Sequence, residues 1–302
     1  MAYVGVFVSG KTISSAILVL VLGNLMATVC DVLVKLADAS DAVFQFTFYR
    51  VLFMCLVITP FVIRKQVARP LAGLGLHFIR GNLWVLTSVL LVISLSQLPL
   101  ATANAVFYTA PIFIILLAAI FYREKISKTV VFAAVSGFLG VLVILKPSYI
   151  GWGMLSALGF AFVLAVNSLL VRKLPSDQGA MHGLMIAQLC ALPLSGALAI
   201  WEGGHLSWEQ LVLAFCASIC SVMYSLGCLV GYRYVASSQV SSAEYSGLLF
   251  AIIAGWVMFA ESIDASLILG AALIILPLIY ISRRDMAAEK AKKRAIAAAQ
   301  IV

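Results

Sequence analysis

Polar and charged residues in this chain are confined to short islands, and between them run apolar stretches of about twenty residues. The islands carry the residues that interrupt helices: Asp38, Ser40 and Asp41, Arg69 and Pro70 with Gly73 and Gly75, Leu98 and Pro99, Lys146 and Pro147, Pro175, Ser176 and Asp177, and Gly203 and Gly204. The pattern predicts ten helices over residues 13–36, 43–63, 78–97, 100–122, 129–146, 152–171, 180–200, 209–232, 238–260 and 264–282. At 1.5 Å per residue such runs match the roughly 30 Å hydrocarbon core of a bilayer. The first run, Ile13 to Leu36, is too long for a signal-peptide core and has only Lys11 ahead of it, so it counts as the first spanning helix.

Composition agrees with the pattern. The chain is 64% hydrophobic and 11% charged, with a mean hydropathy of +1.12, values at which a water-soluble globule would precipitate. Cys30, Cys55, Cys190, Cys216, Cys220 and Cys228 all lie within apolar segments and show no disulfide or metal-ligand spacing, so they read as small core hydrophobes.

The chain is also internally repeated. Ile115 to Lys125 and Ile252 to Ser262 share an apolar run, an aromatic residue and a glutamate, with Glu124 and Glu261 standing 137 residues apart. The same offset carries Tyr108 onto Tyr245 and Lys35 onto Arg172. Five helices per copy is an odd number, so the two copies enter the membrane with opposite orientation. The predicted fold is therefore an all-α integral membrane protein, ten transmembrane helices as two inverted five-helix repeats. The units are 1–146, 147–282 and a basic tail at 283–302. Inverted repeats are the architecture of carriers that expose a midplane site to alternate sides.

Charge gives an orientation. If the N-terminus is cytoplasmic, every Lys and Arg of the 20 faces the inside except Lys35 and Lys146, which lie outside, and Arg50, which lies within the membrane. Basic residues collect on the cytoplasmic side, so both termini are expected inside, at a cytoplasmic (inner) membrane. The formal charge of +8 is then mostly topology and does not call for nucleic acid. The Ala-rich tail is a solvated anchor with some capacity to touch anionic lipid.

The segment Leu98 to Ser127, LPLATANAVFYTAPIFIILLAAIFYREKIS, resembles the fourth helix of the drug/metabolite transporter superfamily, specifically its ten-helix EamA-domain proteins. It has the Leu-Pro-Leu start, small residues, a mid-helix proline at Pro111 and Glu124 before Lys125. Arg50, after Phe48 and Tyr49, matches a basic position typical of helix 2, and Arg80 with Gly81 opens helix 3 as in many members. The second copy fits at Glu261 and at Gly270 to Ile275, but Leu248 stands where Pro111 would predict a proline. The resemblance covers nearly the whole chain. It implies secondary transport of a small organic solute, an amino-acid-, vitamin- or nucleoside-like metabolite or, alternatively, an amphipathic drug moved outward, without naming cargo or direction.

Ionisable groups inside the spans are the first site candidates, because charged types cost at least about 2.5 to 3.5 kcal/mol at mid-helix unless paired or hydrated. They are Asp31, Arg50 and Glu244. Asp31 and Arg50 lie roughly 7 to 11 Å from the outer ends of their helices, a depth that suits an ion pair, and Lys35, one turn beyond Asp31, offers a second partner. Arg50 reads either as such a structural pair or as a substrate ligand. Glu244 has no basic residue in its own helix; it is a proton-coupling candidate or a rim carboxylate that meets water or Arg233. The neutral candidates for solute binding are Asn24, Trp84, Asn104, Tyr108, Asn167, Tyr224 and Tyr245, with aromatic faces for stacking and amides for hydrogen bonds. Taken singly, each of these can equally serve as packing between helices, but the repeat places Tyr108 and Tyr245 symmetrically about the midplane, which favours that pair as solute contacts. Pro111 should kink helix 4.

Other classes fit less well. The histidines His77, His182 and His205 fall on different segments, and there is no HExxH, GxSxG or phosphate-cradling loop. No enzymatic activity, cofactor or metal is expected, and a receptor would carry larger extramembrane domains. Expected partners are a small-molecule solute and the bilayer. Gly227 and Gly231 form a GxxxG step that would serve a homodimer, leaving monomer and homodimer both open.

Overall fold

A computed structural model describes residues 13–63, 71–123, 128–145, 151–171, 173–174, 178–231, 243 and 245–299. Eleven helices occupy them: α1 Ile13–Ala37, α2 Val43–Ile63, α3 Leu74–Gln97, α4 Leu100–Phe107, α5 Ala110–Tyr122, α6 Lys128–Leu145, α7 Trp152–Val171, α8 Ala180–Glu202, α9 Trp208–Gly231, α10 Ser246–Phe259 and α11 Ala265–Ala299. No strand occurs among the described residues. Seven stretches are long and apolar enough to cross a membrane, α4 and α5 counting together as one of them. Three shorter apolar helices cover 135–144, 246–259 and 265–277.

Local chemistry explains the helix ends. Ser207 and Gln210 form a capping box at the start of α9: Gln210 N–H donates to Ser207 Oγ at 3.2 Å, and Ser207 N–H donates to Gln210 Oε1 at 2.9 Å. Asp264 Oδ1 accepts from Leu267 N–H at 2.9 Å and so caps α11. Beyond Pro277, α11 continues as helix to Ala299. The expected boundary at 283 therefore marks a change of composition within one helix, since an Ala-, Lys- and Glu-rich stretch is a strong helix former.

The predicted fourth helix is two helices. Pro111 has no N–H and its ring would collide with the carbonyl of residue 107, so α4 stops there and α5 starts afresh with Pro111 in its first turn. The carbonyl of Val106, freed at the break, accepts from Thr109 N–H at 2.9 Å and from Thr109 Oγ1 at 2.7 Å. The second copy reproduces the joint without a proline. Ala243 O accepts from Ser246 Oγ at 2.7 Å and from Asn24 Nδ2 at 3.0 Å. Tyr108 and Tyr245 sit at these joints with nearly equal backbone angles, φ −68°, ψ 0° and φ −68°, ψ −11°. The helices that follow end alike, on Arg123 at φ 53° and Ala260 at φ 51°. Glu124 itself lies outside the described residues.

Packing obeys the same offset. A shift of 137 residues places α1 on α7, α2 on α8, α3 on α9, α5 on α10 and α6 on α11. The principal contacts are α1 with α9, α3 with α7, α2 with α8 and α6 with α11, a set that maps onto itself under the shift. Backbones approach closely where small residues meet. A methyl added at Gly140 of α6 would lie 2.6 Å from the Gly270 carbonyl of α11. Gly227 of α9 faces Gly23 of α1, and Gly231 faces Leu20. The GxxxG step expected to serve a homodimer is thus occupied within the chain, where it lets α1 and α9 pack closely.

One end of the bundle is tied shut. Glu202, at the end of α8, accepts from Phe44 N–H at 3.1 Å and Gln45 N–H at 2.8 Å, capping α2. Gln45 Nε2 donates to Gly204 O, and Gln210 Nε2 donates to Ala37 O at 3.0 Å. Glu261 caps α4, accepting from Leu100 N–H at 2.6 Å and Ala101 N–H at 3.2 Å. Trp152, Trp201 and Trp208 are largely exposed around this end, as side chains of a bilayer interface are.

Candidate functional site

Beneath the tied end, a cavity of about 210 Å³ lies between the two halves. Helical periodicity builds its wall. Trp84, Thr87, Ser88 and Leu91 follow one another at the i, i+3, i+4 and i+7 positions of α3, so all four face the same side. Ala27, Cys30 and Asp31 do the same on α1, Arg50 and Met54 on α2, Phe160 and Leu164 on α7, and Ser221, Tyr224 and Ser225 on α9, with Leu184 added from α8. The lining is largely apolar, with a cation and a carboxylate inside it.

Arg50 is buried, with 2% of its surface exposed. Nη1 donates to Ser88 Oγ at 3.0 Å, and Nη2 donates to Ser221 Oγ at 3.4 Å and to Cys30 Sγ at 3.5 Å. The guanidinium carbon lies 5.5 Å from the centre of the Trp84 ring, a cation–π contact. Nε is itself buried and finds no hydrogen-bond partner among the described residues. Asp31 is half-buried on the cavity wall and takes a side-chain hydrogen bond from Asn104, whose Nδ2 also donates to Leu100 O at 3.2 Å.

Neither ion pair expected of Asp31 forms. Lys35 pairs instead with Glu261, at 3.7 Å, and among the described residues no carboxylate stands within 4.0 Å of Arg50. Lys35 turns away from Asp31 because α3 ends beside it: Nζ donates to Leu98 O at 2.6 Å and to Leu95 O at 3.1 Å. Unsatisfied carbonyls at a helix C-terminus attract an ammonium, and Glu261 is close by.

Of the residues singled out in the sequence, Asp31, Arg50, Trp84 and Tyr224 line the cavity, and Asn104 touches it through Asp31. Asn24, Tyr108 and Tyr245 gather instead at the α4/α5 and α10 joints. There the two tyrosine rings are 6.4 Å apart, and an added methyl at Gly247 would collide with the Tyr108 hydroxyl. Asn167 accepts from Arg80 Nε at 3.0 Å. Glu244 and Arg233 lie outside the described residues. Ser88, Ser221 and Phe160 escape a sequence reading, because serine and phenylalanine in an apolar helix look like packing. Their signal is their spacing from Trp84, Tyr224 and Leu164. Glu261 is visible in the sequence as a repeat marker, but not as the cap of α4.

A bundle of apolar helices built twice, holding a charged cavity between the copies, defines a multi-pass membrane protein of transporter type. The EamA-like transporter family matches residues 14–146 and again 148–283, and the chain belongs to that family. It is similar to the pseudopaline exporter CntI of Pseudomonas aeruginosa (strain UCBPP-PA14), 27% identical over 278 residues, covering 90% of this chain and 97% of that one. It is also similar to the S-adenosylmethionine uptake transporter of Rickettsia felis, 26% identical over 270 residues (85% and 89%), and to the riboflavin transporter of Rhizobium johnstonii, 27% over 202 residues (66% and 67%). A protein known from its crystal structure shares the fold with a TM-score of 0.61 at 18% identity, over 90% of this chain and 98% of the other. Family and relatives are transporters and not enzymes.

Proposed function

We propose that this protein is a secondary transporter that moves a small organic metabolite across the cytoplasmic membrane by alternating access. The observation that carries the proposal is the cavity between the halves, walled by α1 to α3 of one copy and α7 to α9 of the other, with Asp31 and Arg50 inside. Side chains from both copies surround one volume, so a rocking of one copy against the other changes which end reaches it. The copies are taken as inverted five-helix repeats, with both termini cytoplasmic. The tied end is then the outer face, and this conformation is closed to the outside through Glu202, Gln210 and the Lys35 and Glu261 pair. Transport is coupled to protons, with Glu244 the first candidate for the coupling acid and Asp31 the second.

The test is transport into proteoliposomes of a panel that includes amino acids, S-adenosylmethionine and riboflavin, with and without an imposed proton gradient. Accumulation of a panel solute that rises with the gradient supports the proposal. Absence of protein-dependent flux for every solute, from protein shown to be folded, overturns it. Efflux is a second reading favoured by the similarity to an exporter over 90% of the chain; inside-out vesicles that accumulate the solute only when acidified internally would select it.

A further inference from the structure

We infer that Gln188 is a positioning residue of the transport cycle, whose amide oxygen accepts a hydrogen bond from Arg50 Nε–H in the conformation that faces the other side. The inference rests on the transporter proposal and gives a part in it to a residue outside the cavity wall.

Gln188 lies in the middle of α8 and is fully buried, 0% exposed. Neither its Oε1 nor its Nε2 has a hydrogen-bond partner among the described residues. An amide taken out of water without partners is costly, and a leucine or methionine in its place would not be. Arg50 has the complementary defect. Its Nη1 and Nη2 are engaged at the cavity by Ser88, Ser221 and Cys30, and Asp31 attracts the guanidinium through space. Nε is left as a buried donor without an acceptor among the described residues.

Packing puts the lone donor and the lone acceptor at the same level. One turn before Gln188, Leu184 packs in an apolar cluster with Met54 and Trp84; one turn after it, Ala191 packs with Val51, Val85 and again Trp84. Arg50 stands beside Val51 and one turn from Met54, with its guanidinium 5.5 Å from the centre of the Trp84 ring. α2 and α3 belong to the first copy and α8 to the second, so a rocking of the copies carries Gln188 past Arg50. The backbones of α3 and α8 are already close, since a methyl on Gly81 would collide with the Ala187 carbonyl, and the movement left to them is a slide. The unbonded amide raises the energy of this conformation, and the charge-assisted bond lowers that of the other. Both effects push the equilibrium the same way.

The experiment follows Cys30, which lines the cavity, with a membrane-impermeant maleimide added to intact cells, Cys30→Ser serving as the blank. Thermal unfolding of the purified full-length protein is measured beside it. Gln188→Leu should unfold at a higher temperature than the wild type yet label about 10- to 100-fold more slowly, the range expected when a hydrogen bond to a charged group is lost from the open state. A residue that merely fills space would not couple a gain in stability to a loss of opening. Gln188→Met, unbranched like glutamine, is the second variant and should behave in the same way. Gln188→Glu should label faster than the wild type by strengthening the bond. In Arg50→Lys, which keeps the charge and has no Nε, Gln188→Leu should cause no further slowing. A lower unfolding temperature in both apolar variants, labelling at the wild-type rate, or an equal slowing in the Arg50→Lys background would overturn the inference and leave the carrier proposal standing. A wild-type Cys30 that labels in opened membranes but never from outside would overturn alternating access, and the inference with it.

Discussion

Glu261 shows how much one side chain can organise. Its carboxylate accepts from the first two N–H groups of α4 and pairs with Lys35 of α1, so it joins three elements at the closed end. Replacing it by alanine removes a helix cap, and a loss of about 0.5 to 2 kcal/mol is expected, measured as a lower midpoint of unfolding in detergent. An unchanged midpoint would mean that water replaces the carboxylate without cost. Glu244 calls for a different measurement. Glu244→Gln keeps the shape of the side chain and removes ionisation. Gradient-driven accumulation should disappear while solute exchange survives, and accumulation at the wild-type rate would exclude Glu244 as the coupling acid. The same result in Asp31→Asn as well would point to a facilitator or to another ion.

At the scale of elements, the two joints at Tyr108 and Tyr245 are chemically matched although only one contains proline. Thr109 and Ser246, 137 residues apart, each return a hydroxyl to the carbonyl three residues back. Asn24 adds a second donor on the side that lacks proline. Gly247 completes this arrangement by leaving room for the Tyr108 hydroxyl. Gly247→Ala gains helix propensity, worth about 1 kcal/mol, yet it should destabilise the protein because the methyl displaces that hydroxyl. Adding Tyr108→Phe should recover much of the loss. A double-mutant cycle in thermal unfolding reads the coupling, and strictly additive single effects would show that the two positions do not meet.

At the scale of the whole molecule, the proposed orientation makes a topological prediction. A C-terminal fluorescent fusion should be bright in the cytoplasm. His205→Cys, at an exposed position of the closed end, should react with an impermeant maleimide on intact cells. A dark fusion, with His205→Cys protected, would reverse the orientation and with it the assignment of the outer face.

Much of this was open to a linear reading. Apolar runs separated by breakers place the helices, because a bilayer leaves few backbone arrangements other than helix. The 137-residue offset, the cost of Asp31 and Arg50, and a bend at Pro111 follow from residue identity and spacing alone, although the full break into α4 and α5 does not. What only the tertiary structure decided is which groups meet. Lys35 stands one turn from Asp31, yet it goes to Glu261 and the carbonyls of α3, partners on distant segments. Asn24 serves a carbonyl 219 residues away, and the Gly227 and Gly231 face closes on α1 rather than on a second chain. Spacing along one helix fixes the face a side chain points from, but the partner on that face is set by how the helices cross, and that depends on the packing of every helix at once.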